Sequence, residues 1–181
     1  TATDAAGNTS ALGTGLTITV DTVAPAQPVI TSITPDNGAS TSDYITSATQ
    51  LVVSGTAEAN SLMTVYDNGV AIGTVITDAQ GNWTITTASG LADGAHRFSA
   101  NATDVAGNKS VNANSVTMTI DTSAPAAPGV NSVGDDTGTS ATDKITNDST
   151  LTVNGTAEPG STVNLYDNSD PNNPRLVGTA T

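Results

Sequence analysis

Apolar and polar residues alternate in short runs along this 181-residue chain, and nowhere do apolar positions recur at the helical period. Between residues 23 and 122, runs of this kind cover residues 29–33, 51–56, 62–66, 70–76, 83–87, 96–103 and 115–120, each bounded by Gly, Asn, Asp or Pro. A period of two between turn residues is the pattern of half-buried antiparallel strands. It predicts that Leu51, Val53, Met63, Val65, Trp83, Ile85, Phe98, Ala100, Val116, Met118 and Ile120 point inward. Asn68-Gly69 predicts a tight hairpin between the third and fourth strands, and Asp93-Gly94 a turn before the sixth.

The pattern also repeats. TATDAAGNTS at residues 1–10 returns as NATDVAGNKS at 101–110, and GTAE at 55–58 returns at 155–158, an offset of 100. The register slips only at SDPNNPR, residues 169–175, which adds five residues before Gly178 answers Gly73. A period of 100 suits a domain with its own core and is too long for a solenoid repeat. About seven short strands per period predict an all-β fold of tandem immunoglobulin-like β-sandwiches. In this phase residues 1–22 are the C-terminal end of a preceding domain, 23–122 a complete domain, and 123–181 the N-terminal part of a following one.

Composition narrows what such an array does. Seventeen acidic residues against four basic ones give a net charge of −13, which disfavours nucleic acid and anionic membranes as partners and favours cations. No run approaches the roughly 20 apolar residues of a membrane span, so no membrane insertion is expected in this segment. Cysteine is absent and Phe98 and Trp83 are the only Phe and Trp, so neither disulfides nor a large aromatic core holds the domains together.

The acids fall between the predicted strands. Up-and-down threading puts Asp21, Glu58, Asp78 and Asp104 at one end of the complete domain and Asp36, Asp43, Asp67, Asp93 and Asp121 at the other. The lower acids of one repeat then face the upper acids of the next across a short linker. Two carboxylates about 4 Å apart repel by roughly 4 kcal/mol at an effective dielectric near 20, so a gathering of them calls for a cation. Oxygen ligands without Cys, and with one His, point to Ca²⁺. The expected metal ligands are Asp21, Glu58 and Asp104 at the first joint and Asp121 with Glu158 at the second, with Asp36, Asp43 and Asp67 from the lower ends. Asp also occupies turns for reasons of its own. Glu does not, and it occurs only at the equivalent positions 58 and 158. Pro25, Pro28, Pro125 and Pro128 follow the linker acids and limit the conformations of the joint.

VDTVAPAQP at 20–28, GTAEPGSTVNLYDN at 155–168, DAQGNW at 78–83, LADGAH at 91–96 and ATDVAGNKS at 102–110 resemble the bacterial Ig-like repeats of giant type I-secreted adhesins, the large non-fimbrial and biofilm-associated surface proteins. The resemblance implies a stalk outside the cell, at the bacterial surface, with calcium ions and neighbouring repeats of the same chain as partners. Host cells or abiotic surfaces would be gripped through other regions of the parent protein. It supports Asp21, Glu58, Asp104, Asp121 and Glu158 as ion ligands. TPDNG at 34–38 has one Asp where the next repeat has Asp135-Asp136, so the lower site of the middle domain is expected to bind more weakly. The rival reading is a carbohydrate- or receptor-binding module, since loops at a sandwich end bind ligands. An enzyme is not expected, because the sole histidine, His96, lacks a positioned nucleophile beside it in the pattern.

Overall fold

The computed structural model describes every residue except 135 and 141, so Asp135 lies outside the described residues. The chain divides into two compact units, Thr1–Thr122 and Ser123–Thr181. Among the described residues, no helix is long and apolar enough to cross a membrane.

Eight strands build the first unit: β1 (Val29–Thr34), β2 (Ile45–Thr46), β3 (Val52–Thr56), β4 (Leu62–Asp67), β5 (Val70–Ile76), β6 (Asn82–Thr86), β7 (Gly94–Thr103) and β8 (Val116–Ile120). They form a three-stranded sheet in the order β1-β3-β6 and a five-stranded sheet in the order β2-β8-β7-β4-β5. All seven expected runs are strands, to within two residues at either end. The eighth, β2, is only two residues long and pairs in parallel with Thr119 and Ile120 of β8. Two residues cannot display an alternation, so this strand left no mark in the pattern.

The alternation predicted the interior because a strand sends successive side chains to opposite faces. Leu51, Val53, Met63, Val65, Trp83, Phe98, Ala100, Met118 and Ile120 are buried between the sheets. Ile85 and Val116 are half-buried and pack against that cluster, while Ile33 and Ala102 join it. Fully burying a side chain the size of Leu, Met, Ile or Phe stabilises by about 1.5–3 kcal/mol. With one Phe and one Trp in the chain, the unit depends on completing that burial at nearly every inward site.

Turn chemistry fixes which sheet β5 joins. Asn68 and Gly69 both have positive φ, 48° and 83°, the geometry of a two-residue hairpin whose twist matches its strands. β5 therefore lies against β4 from Asp67↔Val70 to Leu62↔Ile76. Gly55 serves a closer contact. It sits opposite Trp83 on β6 and Ile30 on β1, and a Cβ there would collide with the Val29 carbonyl and the Trp83 ring.

Residues 11–22 form no strand. By the repeat, Leu16, Ile18 and Val20 correspond to Val116, Met118 and Ile120 of β8; yet Leu16, Ile18 and Val20 are 86%, 75% and 82% exposed, whereas Met118 and Ile120 are 0% and 1% exposed. An apolar strand sequence becomes a buried strand only where another sheet face covers it.

The second unit repeats the first half of this plan. β9 (Gly129–Val133) pairs with β10 (Val153–Thr156), and β11 (Val163–Asp167) with β12 (Arg175–Ala180), all antiparallel. These answer β1, β3, β4 and β5. The register shift between Leu165 and Tyr166 repeats the one between Val65 and Tyr66. The extra residues at 169–175 widen the β11–β12 turn, where Asp167 faces Arg175.

Gly55→Ala should destabilise the first unit by about 1–3 kcal/mol, the usual cost of overpacking an interior. The midpoint of urea unfolding followed by Trp83 fluorescence measures it, and an unchanged midpoint would mean that the Trp83 ring and β1 yield freely.

Candidate functional site

Strand directions place the end loops as the threading requires. Within each sheet the antiparallel pairings alternate strand direction, β1 and β6 opposing β3, and β4 and β8 opposing β5 and β7. At the upper end the Ala57 N–H donates to the Gly81 carbonyl at 2.8 Å, joining the β3–β4 and β5–β6 loops. At the lower end the Leu91 N–H donates to the Thr49 carbonyl at 2.9 Å. Asn68 Nδ2 donates to the Ala95 carbonyl at 3.2 Å, tying the β4–β5 turn to the start of β7.

Among the upper acids, Asp104 belongs to a turn that occurs three times in the first unit, each with the sequence Asp-x-x-Gly-Asn: residues 4–8, 78–82 and 104–108. In each, one Asp oxygen accepts the backbone N–H of the Asn and the other accepts its Nδ2, at 2.9 and 3.0 Å for Asp4, 2.7 and 3.1 Å for Asp78, and 2.8 and 2.9 Å for Asp104. The Gly has φ of 89°, 81° and 94°, a left-handed conformation that glycine adopts without strain. Bonds that favour the ionised form hold all three carboxyls below 3.8, the Asn side chain contributing most. Both oxygens of Asp104, expected as an ion ligand, are thus already engaged within its own loop. The spacing was readable in the sequence, where the motif stands three times.

Glu58 holds the β3–β4 turn through its backbone, not its carboxyl. Its carbonyl accepts Ser61 Oγ at 2.7 Å and Thr77 Oγ1 at 2.6 Å. The Glu158 carbonyl likewise accepts Ser161 Oγ at 2.7 Å, while Glu158 Oε2 accepts the Ala126 N–H just after Pro125 at 3.3 Å. Asp21 accepts the Val23 N–H on Oδ1 at 3.0 Å, a turn closed over the linker residue Thr22. Asp121 N–H donates to the Thr46 carbonyl at 2.9 Å.

The lower loops recur from one repeat to the next. Asp36 Oδ2 accepts the Tyr44 N–H at 3.1 Å and Asp136 Oδ2 the Lys144 N–H at 3.0 Å. Asp43 Oδ1 accepts the Ile45 N–H at 3.1 Å, as Asp143 Oδ1 accepts that of Ile145 at 3.1 Å. Tyr44 and Lys144 both have φ of 61°. Asp36 Oδ1, Asp136 Oδ1 and Asp67 Oδ1 are buried with no hydrogen-bond partner. Asp67 Oδ2 lies 2.6 Å from His96 Nδ1, and His96 Nε2 lies 3.0 Å from the Ala92 carbonyl. Burial works against the charged ring, but these two acceptors outweigh it and raise the His96 pKa above 6.5. Among the described residues, no three Asp, Glu or His side chains gather closely enough to hold a metal by themselves.

Residues 24–122, which hold both of these sheets, match a family described as "Bacterial Ig-like domain". The chain belongs to that family. The matched span of this bacterial Ig-like protein runs from just before β1 to the end of the first unit. A solved structure described as "Biofilm associated protein - BSP domain" is 24% identical over 55% of this chain and 15% of that one, with a TM-score of 0.38. The chain thus spans about 15% of the length of that structure. No curated protein matches the Ig-like chain.

Asp78 gives the acid limb of stability a definite sign. Its folded pKa lies below the unfolded 3.8, so the turn's contribution is present above 3.8 and is lost as pH falls through the folded value. Asp78→Ala should melt below the parent at neutral pH, and the gap should close as pH drops below about 4, where both carboxyl states converge. Melting temperatures of the two proteins across this range measure it; a gap that stays constant would remove Asp78 from the acid transition.

Proposed function

We propose that these Ig-like repeats are calcium-rigidified spacers in the stalk of a large bacterial surface adhesin, secreted by a type I route. The stalk would carry other regions of the parent to host cells or abiotic surfaces, in biofilm and in infection. The observation that carries the calcium part is the buried, donor-free Oδ1 of Asp36, repeated at Asp136 one period later. A buried carboxylate oxygen without a partner costs about 1–3 kcal/mol or more. A hard cation that takes oxygen ligands removes that cost.

The donor chemistry fits Ca²⁺. Asp36 and Asp43 offer carboxylates in the β1–β2 loop and Asp67 one at the end of β4, Asp21 and Asp121 lie in the linkers, and Glu58 and Glu158 lie in the turns after β3 and β10. Since no three described acids gather, carbonyl and amide oxygens, or acids of an adjoining repeat, would complete each shell. Glu158 supports the upper half of the reading, because its carboxylate already reaches the linker backbone at Ala126. Asp104 ranks last, both its oxygens being engaged. Bound calcium would neutralise the loops and stiffen the joints, and repetition would lengthen the rod. An Ig-like sandwich of this kind is read as a structural element and not an enzyme.

Melting in calcium and in chelator tests the first claim. An ion that binds only the folded state at 100 times its Kd adds about 2.7 kcal/mol per site, so chelation should lower the melting temperature, and overlapping curves would remove calcium from the fold. Glu58→Gln keeps the side chain's volume and leaves the backbone bonds of its turn in place. It should weaken calcium binding by calorimetry about tenfold, roughly 1.4 kcal/mol. Titration identical to the parent would make Glu58 a solvated loop residue.

One observation favours the rival reading of a binding module: an open polar groove of about 700 Å³ beside β7, lined by Asn68, Arg97, Ser99, Asn112, Asn114 and Ser115. A glycan array should be blank for a spacer and positive for a binding module.

A further inference from the structure

The dipeptide Asp-Thr precedes the Ala-Pro of both linkers, at Asp21-Thr22 and at Asp121-Thr122. Its two occurrences are held differently. Behind the linker, Asp121 N–H donates to the Thr46 carbonyl at 2.9 Å, extending the parallel pairing of β2 with β8. Thr122 N–H and Thr122 Oγ1 both donate to Asp93 Oδ1, at 3.1 and 2.7 Å. Asp93 is itself carried on a held loop: Leu91 N–H bonds the Thr49 carbonyl at 2.9 Å, and the Ala92 carbonyl faces His96 Nε2 at 3.0 Å. Ahead of the linker, the Asp21 carbonyl accepts Asn108 Nδ2 at 3.2 Å, from the Asp-x-x-Gly-Asn turn of the β7–β8 loop. Gln27 Nε2 adds a bond to the Asn112 carbonyl at 2.5 Å.

These bonds use different atoms of the dipeptide. The preceding repeat takes the Asp N–H and the N–H and hydroxyl of the Thr; the following repeat takes the Asp carbonyl. One Asp-Thr can therefore satisfy both at once.

We propose that each Asp-Thr linker of the array is a metal-independent clamp, gripped from behind by the β6–β7 aspartate, here Asp93, and from ahead by the β7–β8 asparagine, here Asn108. This deepens the spacer reading and rests on it in one respect, that the direction of the joint matters to the array. Asp93 and Asn108 are positioning residues. They act on the linker backbone whether or not an ion is bound, and calcium would then stiffen a linker whose backbone hydrogen bonds already hold. The Asp-x-x-Gly-Asn turn acquires a second task by this account, since Asn108 serves Asp104 and the linker with one amide.

Amide hydrogen exchange in the full chain, followed by NMR with calcium and with chelator, tests the clamp. The residue 122 amide should be protected in both conditions. Asp93→Ala should raise its exchange rate about tenfold and Thr122→Val, which removes only the hydroxyl donor, about threefold, as expected for losing two bonds or one. Thr122 is exposed, so folding of the second variant is not in question, and protected amides at Phe98 and Ala100 report the folding of the first. From ahead, Asn108→Ala should increase the fast motion of residues 20–23 in ¹⁵N relaxation, whereas Asn82→Ala, which breaks the same turn away from the linker, should not. The clamp is overturned if residue 122 exchanges equally fast in parent and variants, or if chelation alone abolishes its protection. Protection that survives chelation in a protein whose melting ignores calcium would keep the clamp and remove the calcium reading.

Discussion

Complete burial of a lean interior is the constraint on which everything else in these repeats depends. A sandwich of about one hundred residues with a single Phe and a single Trp has little apolar area to spare, and its fully buried side chains are mostly Leu, Met, Ile and Val. No inward position can be given to a charge, because an isolated buried carboxylate costs more than such a core supplies. The acids are therefore exported to the loops and strand ends, and alternating strand direction gathers the loops at two ends. The chemistry of the ends is thus a consequence of the thinness of the middle. Gly55 belongs to the same economy of space, since leaving out one Cβ lets the Trp83 ring lie over β3 and close the interior.

How much of this was legible follows from which signals are periodic. The seven principal strands and nine of the eleven expected core residues could be read because alternation extends over five or more residues in each run. Ile85 and Val116 fall short of full burial although their parity is right; parity fixes the face and not the depth. The strand β2 escaped because a parallel pair of two residues is specified by its partner and not by itself. Positive φ at both Asn68 and Gly69 shows why the Asn-Gly signal was reliable: its effect is local and needs no tertiary partner. The exposed Leu16, Ile18 and Val20 show the opposite case, a strand pattern whose outcome depends on a covering sheet.

The candidate site was less legible, for a definite reason. Composition and threading placed the acids at the ends, but a carboxylate in a loop has two employments, bonding its own turn or meeting something outside it. The sequence separates them only where a second residue is named at fixed spacing. Asp78 and Asp104 have an Asn four residues on, and the structure closes each pair. Asp67 is paired with His96 across two strands, 29 positions away, which no local spacing could announce. The donor-free oxygens of Asp36 and Asp136 are a statement about three-dimensional packing and had no counterpart in the pattern.

The repeat supplies its own control for sorting these roles, because the two units fold equivalent loops from partly different residues. Tyr44 becomes Lys144, yet both keep φ at 61° and both donate their N–H to the Asp eight residues before. An unrelated pair of side chains in one backbone geometry means that the loop is built by Asp36 and Asp43, or Asp136 and Asp143, acting on the main chain. The same comparison at the upper end gives the reverse result for Glu58 and Glu158. Their carbonyls do identical work on Ser61 and Ser161, which any residue type could perform. The glutamate side chain is unnecessary for the turn in either unit, and at Glu158 it extends to the linker backbone instead. What the turn needs from position 158 is a carbonyl, and the carboxylate is left to hold the backbone just after Pro125 within the same unit.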